Sequence, residues 1–141
     1  MKYMTDSEFV QAFEACQIPG SEFHHRDHIR LAAIYWRTCG PAAAARIAES
    51  IRRYAAHLGK SDKYHQTITM AWMGLVEQAI AASDQGIGFE ELVARFPALL
   101  DKNLLREFYS EERLDSPEAK VNFVPPDRKP LCPALARHDA F

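Results

Sequence analysis

The chain has 141 residues, of which 48% are hydrophobic and 26% charged. That composition suits one ordinary globular domain and excludes a disordered chain, a collagen-like chain and a disulfide-dense mini-protein. Lys and Arg total 17 against 19 Asp and Glu, a net charge of −2 with His neutral, so no global field exists for gripping nucleic acid or an anionic membrane. Cys16, Cys39 and Cys132 are widely spread and lack the clustered spacing of a zinc knuckle or a redox pair. The first residues run into a polar segment without a signal-peptide core, and no apolar run approaches the roughly 18 residues of a membrane span. A cytoplasmic, reduced protein is expected.

In chain order, a first helix is predicted from Thr5, whose Thr5-x-x-Glu8 spacing fits a capping box, with Phe9, Val10, Phe13 and Cys16 on one side. A second runs from the histidine cluster through Ile29, Ala32, Ala33 and Trp36. A third opens at Pro41, a favourable first-turn residue, and continues to about Leu58. A fourth spans about Gln66 to Ala82, with Ile68, Trp72, Leu75, Val76, Ala79 and Ile80 at helical spacing. Gly20, Gly40, Gly59 and the Gly86/Gly88 pair follow these stretches, where a helix end wants a residue tolerant of positive φ. A fifth helix carries Phe89, Leu92, Val93 and Phe96, breaks near Pro97 and resumes through Leu100, Leu104, Leu105 and Phe108. A further short turn of helix is predicted at Ser116-Pro117-Glu118-Ala119, a cap followed by proline at the first position. The prolines from Val124 to Pro133 forbid regular helix, and that stretch reads as an extended strap. No alternating strand pattern of useful length occurs. The expectation is an all-α single domain over residues 1–141, a bundle of about five helices over 1–121 followed by an extended Pro-rich tail over 122–141.

Three histidines fall within five positions, in Phe23-His24-His25-Arg26-Asp27-His28. If a helix has begun by His25, then His25 and His28 are i and i+3 neighbours, with Cβ atoms about 5–6 Å apart. Two imidazoles so placed can converge on one divalent ion, at metal–nitrogen distances of about 2.0–2.1 Å. The best third ligand is His65, at the start of the fourth helix. Three protein ligands leave open coordination positions, the arrangement of catalytic rather than structural sites. The competing interpretation is that these histidines are caps or partly exposed polar residues, since HxxH alone is a weak motif. His24 points away from His25, and His57 and His138 are expected to be solvated.

Several blocks occur in succession: His25-Arg26-Asp27-His28-Ile29-Arg30-Leu31-Ala32; Tyr64-His65-Gln66-Thr67-Ile68-Thr69 with Trp72; Tyr109-Ser110 with Arg113-Leu114; and Phe123-Val124 with Pro126-Asp127. Together they resemble an uncharacterised family of small helical bacterial proteins of about this size. The resemblance covers most of the chain from about Phe23 to Pro133. It implies that His25, His28 and His65 are the family's histidines and His24 is not, and it carries no named activity. One departure lies at Leu131-Cys132-Pro133, where Leu-Pro would be expected directly.

Glu22-x-x-His25 and Asp62-x-x-His65 echo the spacing of di-iron bundles, but such a site wants two further inward carboxylates and only Glu77 is available. Glu22 and Asp62 are better explained as first-turn acids. Near the end of the last long helix, Glu111 or Glu112 could serve as a general base, with Glu112 preferred. Arg113 could hold a substrate carboxylate, and Tyr109 could wall a pocket. A surface charge cluster accounts for the same residues equally well. Asp27 and Arg30 read as an exposed ion pair of little energetic consequence.

The leading expectation is a metal-dependent enzyme acting on a small molecule, its one divalent transition metal held by His25, His28 and His65. Zinc would imply hydrolysis or addition, and iron, copper or manganese would imply oxygen or redox chemistry. The expected partner is a small-molecule substrate, with no nucleic acid and no membrane, and with a homodimer left open. The alternative is a non-catalytic metal- or ligand-binding helical module, or an interaction domain with structural histidines.

Overall fold

Seven α-helices joined by short 3-10 turns, with no strand, account for the described residues of the computed structural model, 4–84 and 86–131. The all-α class expected from the hydrophobic periodicity is the class observed. Two compact units divide the chain, Met1–Tyr64 and His65–Phe141. No helix among the described residues is long and apolar enough to cross a membrane.

The first unit holds α1 (Asp6–Glu14), α2 (His25–Cys39) and α3 (Ala43–His57). Thr5 starts α1 as expected. Its Oγ1 accepts from the Glu8 N–H at 3.1 Å, and its own N–H donates to the Glu8 carboxylate at 2.9 Å; such a cap contributes about 1 kcal/mol. Helix α1 ends at a non-glycine residue. Cys16 adopts φ 58°, which lets the Gln17 N–H reach the Ala12 carbonyl at 2.8 Å and the Cys16 N–H reach Phe13 at 2.9 Å, a Schellman exit normally given to glycine. Gly59 (φ 71°) makes the same exit from α3. Gly20 instead opens a 3-10 turn, where an added Cβ would stand 3.1 Å from the Leu58 side chain. Pro41 likewise opens a 3-10 turn, leaving α3 to begin at Ala43.

Phe9 and Phe13 of α1 are fully buried, each contributing about 1.5–3 kcal/mol through burial. Phe13 packs its ring 4.8 Å from Phe23 and 4.7 Å from Tyr54. A polar network ties the three helices together. The buried Tyr35 hydroxyl donates to the Glu14 carboxylate at 2.6 Å and shares a 2.7 Å bond with Ser50, while Arg46 reaches Glu14 at 3.1 Å. Burial, then the bond to Glu14, holds the Tyr35 phenol well above its ordinary pKa. Arg30 does not pair with Asp27. Its guanidinium lies 4.6 Å over the Phe9 ring and donates to the Met4 carbonyl at 2.8 Å and to Asp6 at 3.1 Å.

The second unit holds α4 (Gln66–Ala81), α5 (Phe89–Arg95), α6 (Glu111–Leu114) and α7 (Pro117–Val121). From Thr67 to Ala79, every α4 residue except Ile68 and Gln78 is buried, the pattern of an interior helix rather than a one-faced one. The resumption expected after Pro97 takes the form of two 3-10 stretches, Pro97–Leu100 and Lys102–Glu107. Ser116 caps α7 as predicted, accepting from the Ala119 N–H at 3.2 Å.

Residues 122–131 form the extended strap, and its described part is docked. Thr67 Oγ1 donates to the Asn122 carbonyl at 2.8 Å and accepts from the Val124 N–H at 3.1 Å. The Tyr109 hydroxyl donates to the Val124 carbonyl at 2.7 Å, and Arg113 Nε to the Pro125 carbonyl at 2.7 Å. Ser110 donates twice to Asp127, from its N–H at 2.7 Å and its hydroxyl at 2.6 Å, and these bonds hold the Asp127 carboxyl below its ordinary pKa. The Arg128 N–H reaches the Phe108 carbonyl at 2.8 Å. The rest of the expected tail, including Cys132 and His138, lies outside the described residues.

Candidate functional site

Helix α2 begins at His25 because His24 is extended (φ −109°, ψ 175°) and donates its N–H to the Asp27 carboxylate at 2.9 Å. That fixed start puts His25 and His28 on adjacent turns of one face, with ring centroids 6.4 Å apart and ring planes at 88°. Both residues are half-buried, whereas His24 and His57 are exposed. The i, i+3 pairing read from the spacing is therefore present.

His28 is the unusual member of the pair. Its Nε2 is shielded from solvent and has no hydrogen-bond partner among the described residues. Burial, then the charge of His25, pushes its pKa down to about 4. His28 is thus neutral at pH 7, with one nitrogen not engaged by the described protein atoms. Buried polar atoms are nearly always satisfied, so an orphaned one points to a missing water, ion or ligand.

His65 belongs to the second unit, where it is the N-cap of α4. Its Nδ1 accepts from the Ile68 N–H at 3.1 Å, and its Nε2 lies 2.8 Å from the Leu114 carbonyl. Because Nδ1 accepts, the ring proton is assigned to Nε2, which donates to Leu114. Both nitrogens are engaged in this conformation, and metal ligation would require one of these bonds to be given up. Among the described residues, no group of three or more His, Cys, Asp or Glu side chains is gathered as a potential metal site. Glu22 and Asp62 sit exposed in 3-10 turns rather than in the first turn of an α-helix, and Glu77 is buried on α4.

The residues expected to carry catalysis have definite places. Tyr109 is fully buried, and its hydroxyl bonds the strap. Arg113 also bonds the strap, through Nε. Glu111 and Glu112 are exposed in the first turn of α6, where acids favour the helix start. Thr67 and Asp127 were not singled out by sequence reasoning, yet they make the bonds that hold the strap. The available signal was the joint presence of the Thr67, Tyr109-Ser110 and Asp127 blocks, which prove to be hydrogen-bond partners. No protein-family model, curated protein or solved structure matches the chain.

Proposed function

We propose that the protein binds one divalent transition metal at the first turn of α2 and uses it in a reaction on a small molecule. The observation that carries this reading is the buried, unpartnered Nε2 of His28 beside the His25 ring. A metal ligand must be a neutral imidazole, and burial already keeps His28 in that form. A bound ion would supply Lewis-acid or redox chemistry according to its identity. His25 and His28 are the residues that would hold it. His65 joins as third ligand only by exchanging a hydrogen bond for the metal. Glu112, Arg113 and Tyr109 lie in the second unit, and of these Glu112 alone has no strap bond among those described.

A second reading is favoured by one observation. His65 satisfies both ring nitrogens as a cap, as a structural histidine would, and the protein would then be a non-catalytic helical module.

Elemental analysis of untagged protein separates the two. About one zinc, iron, copper or manganese per chain is expected, sharply reduced by His25→Ala or His28→Ala and unaffected by His24→Ala. Loss of metal in His65→Ala would establish the third ligand, whereas loss of stability alone would make His65 a cap. Metal-free protein that binds none of these ions when they are added overturns the proposal.

A further inference from the structure

A groove of about 460 Å³ opens in the second unit, away from any histidine in its lining. That volume lies within the range of about 300–1,000 Å³ typical of small-molecule sites. Leu75, Ala79 and Ala82 form one wall at i, i+4 and i+7 of the α4 end, and Phe96, Leu99 and Leu104 face the same space. The 3-10 turn forced by Pro97 bends the chain after α5 around this space. Only two lining residues carry polar side chains, Gln78 and Arg95, and none is acidic. Arg95 is exposed, and its guanidinium makes no hydrogen bond or ion pair among the described residues.

An apolar groove with a single uncompensated guanidinium matches one ligand chemistry. Alkyl chain fills the trough, and a carboxylate accepts the paired N–H bonds that a guanidinium offers in fixed geometry. Docking to an anionic membrane would want several clustered cations, and this lining supplies one. We propose that the groove binds a single-chain amphiphile with an anionic head, a medium-chain carboxylate. Its chain lies against Leu75, Phe96 and Leu104, and its head meets Arg95. The site is independent of the histidines.

Calorimetry of the full chain with decanoate and with 1-decanol, both below their aggregation limits, tests the assignment. Decanoate should bind saturably at one site, and decanol about 5-fold more weakly or worse, the scale of an exposed charge-assisted pair. Arg95→Gln should weaken decanoate to the level of decanol and leave decanol unchanged. Ala98→Trp, at an exposed lining position, should abolish both. Circular dichroism checks that each variant is folded. Absence of saturable binding, or equal affinity for the two ligands, overturns the proposal. So does self-association of the chain that Ala98→Trp removes, which would give the groove to a second copy.

Discussion

The Thr67 hydroxyl has two roles in a fully buried position, donating to the Asn122 carbonyl and accepting from the Val124 N–H. Thr67→Val keeps the shape and removes both bonds. Val124 is buried, so its N–H would lose its acceptor without gaining water, at a cost of about 1–3 kcal/mol. Asn122 is exposed, and its carbonyl can turn to solvent for less. The net expectation is a loss of about 2–3 kcal/mol. Thr67→Ser keeps both bonds and loses one methyl, costing about 1 kcal/mol. Urea unfolding of the three proteins should rank them wild type, Ser, Val. Hydrogen exchange at the Val124 amide should accelerate in the Val variant and stay slow in the Ser variant. A Val variant at least as stable as the Ser variant would refute the claim that these bonds fasten the strap.

Two further perturbations probe the first unit. His28 has a folded pKa near 4 against an ordinary 6.5, so the unfolded chain binds an extra proton between those values. Stability of the chelator-treated protein should therefore fall as pH drops from 6.5 toward 4, by up to about 3 kcal/mol, and level off below; His28→Gln should remove that part of the slope, and parallel profiles would contradict the burial argument. Cys16 occupies the left-handed region at φ 58°, which costs an L-residue about 1–2 kcal/mol. Cys16→Gly should stabilise by up to about 1 kcal/mol after the added unfolded-state entropy, whereas Cys16→Val should destabilise; the reverse order in thermal melts would refute the strain.

Legibility followed the range of the interaction. Thr5 and Ser116 were readable as caps because the acceptor and its N–H donor lie three residues apart in sequence. The His25–His28 pairing was readable for the same local reason. Distant partners left no such trace. Sequence spacing pairs Arg30 with Asp27, three residues back, but Asp6 and the Phe9 ring claim it, and Asp27 turns to the His24 N–H. The Nε2 of His65 is engaged by a carbonyl 49 residues away, a partner that nothing near it in sequence announces. The stretch after Pro97 kept its apolar residues and lost its α-geometry. Phe96, held by the following proline, takes ψ 67°, and Asp101 bonds the Asn103 N–H, restarting the chain as a tighter turn.

The fastening of α4 to the strap also sets an order on synthesis. Thr67 waits for an amide 57 residues downstream, and at about 5–20 residues per second that interval lasts roughly 3–11 s. During it, the most apolar helix among the described residues has left the ribosome without the segment that binds its first turn. Chaperone engagement should concentrate in that window. A stop codon placed just before Phe123 would leave the first turn of that helix permanently without the Val124 amide that Thr67 binds. Such a lesion would loosen the fold although every predicted ligand histidine would still be present.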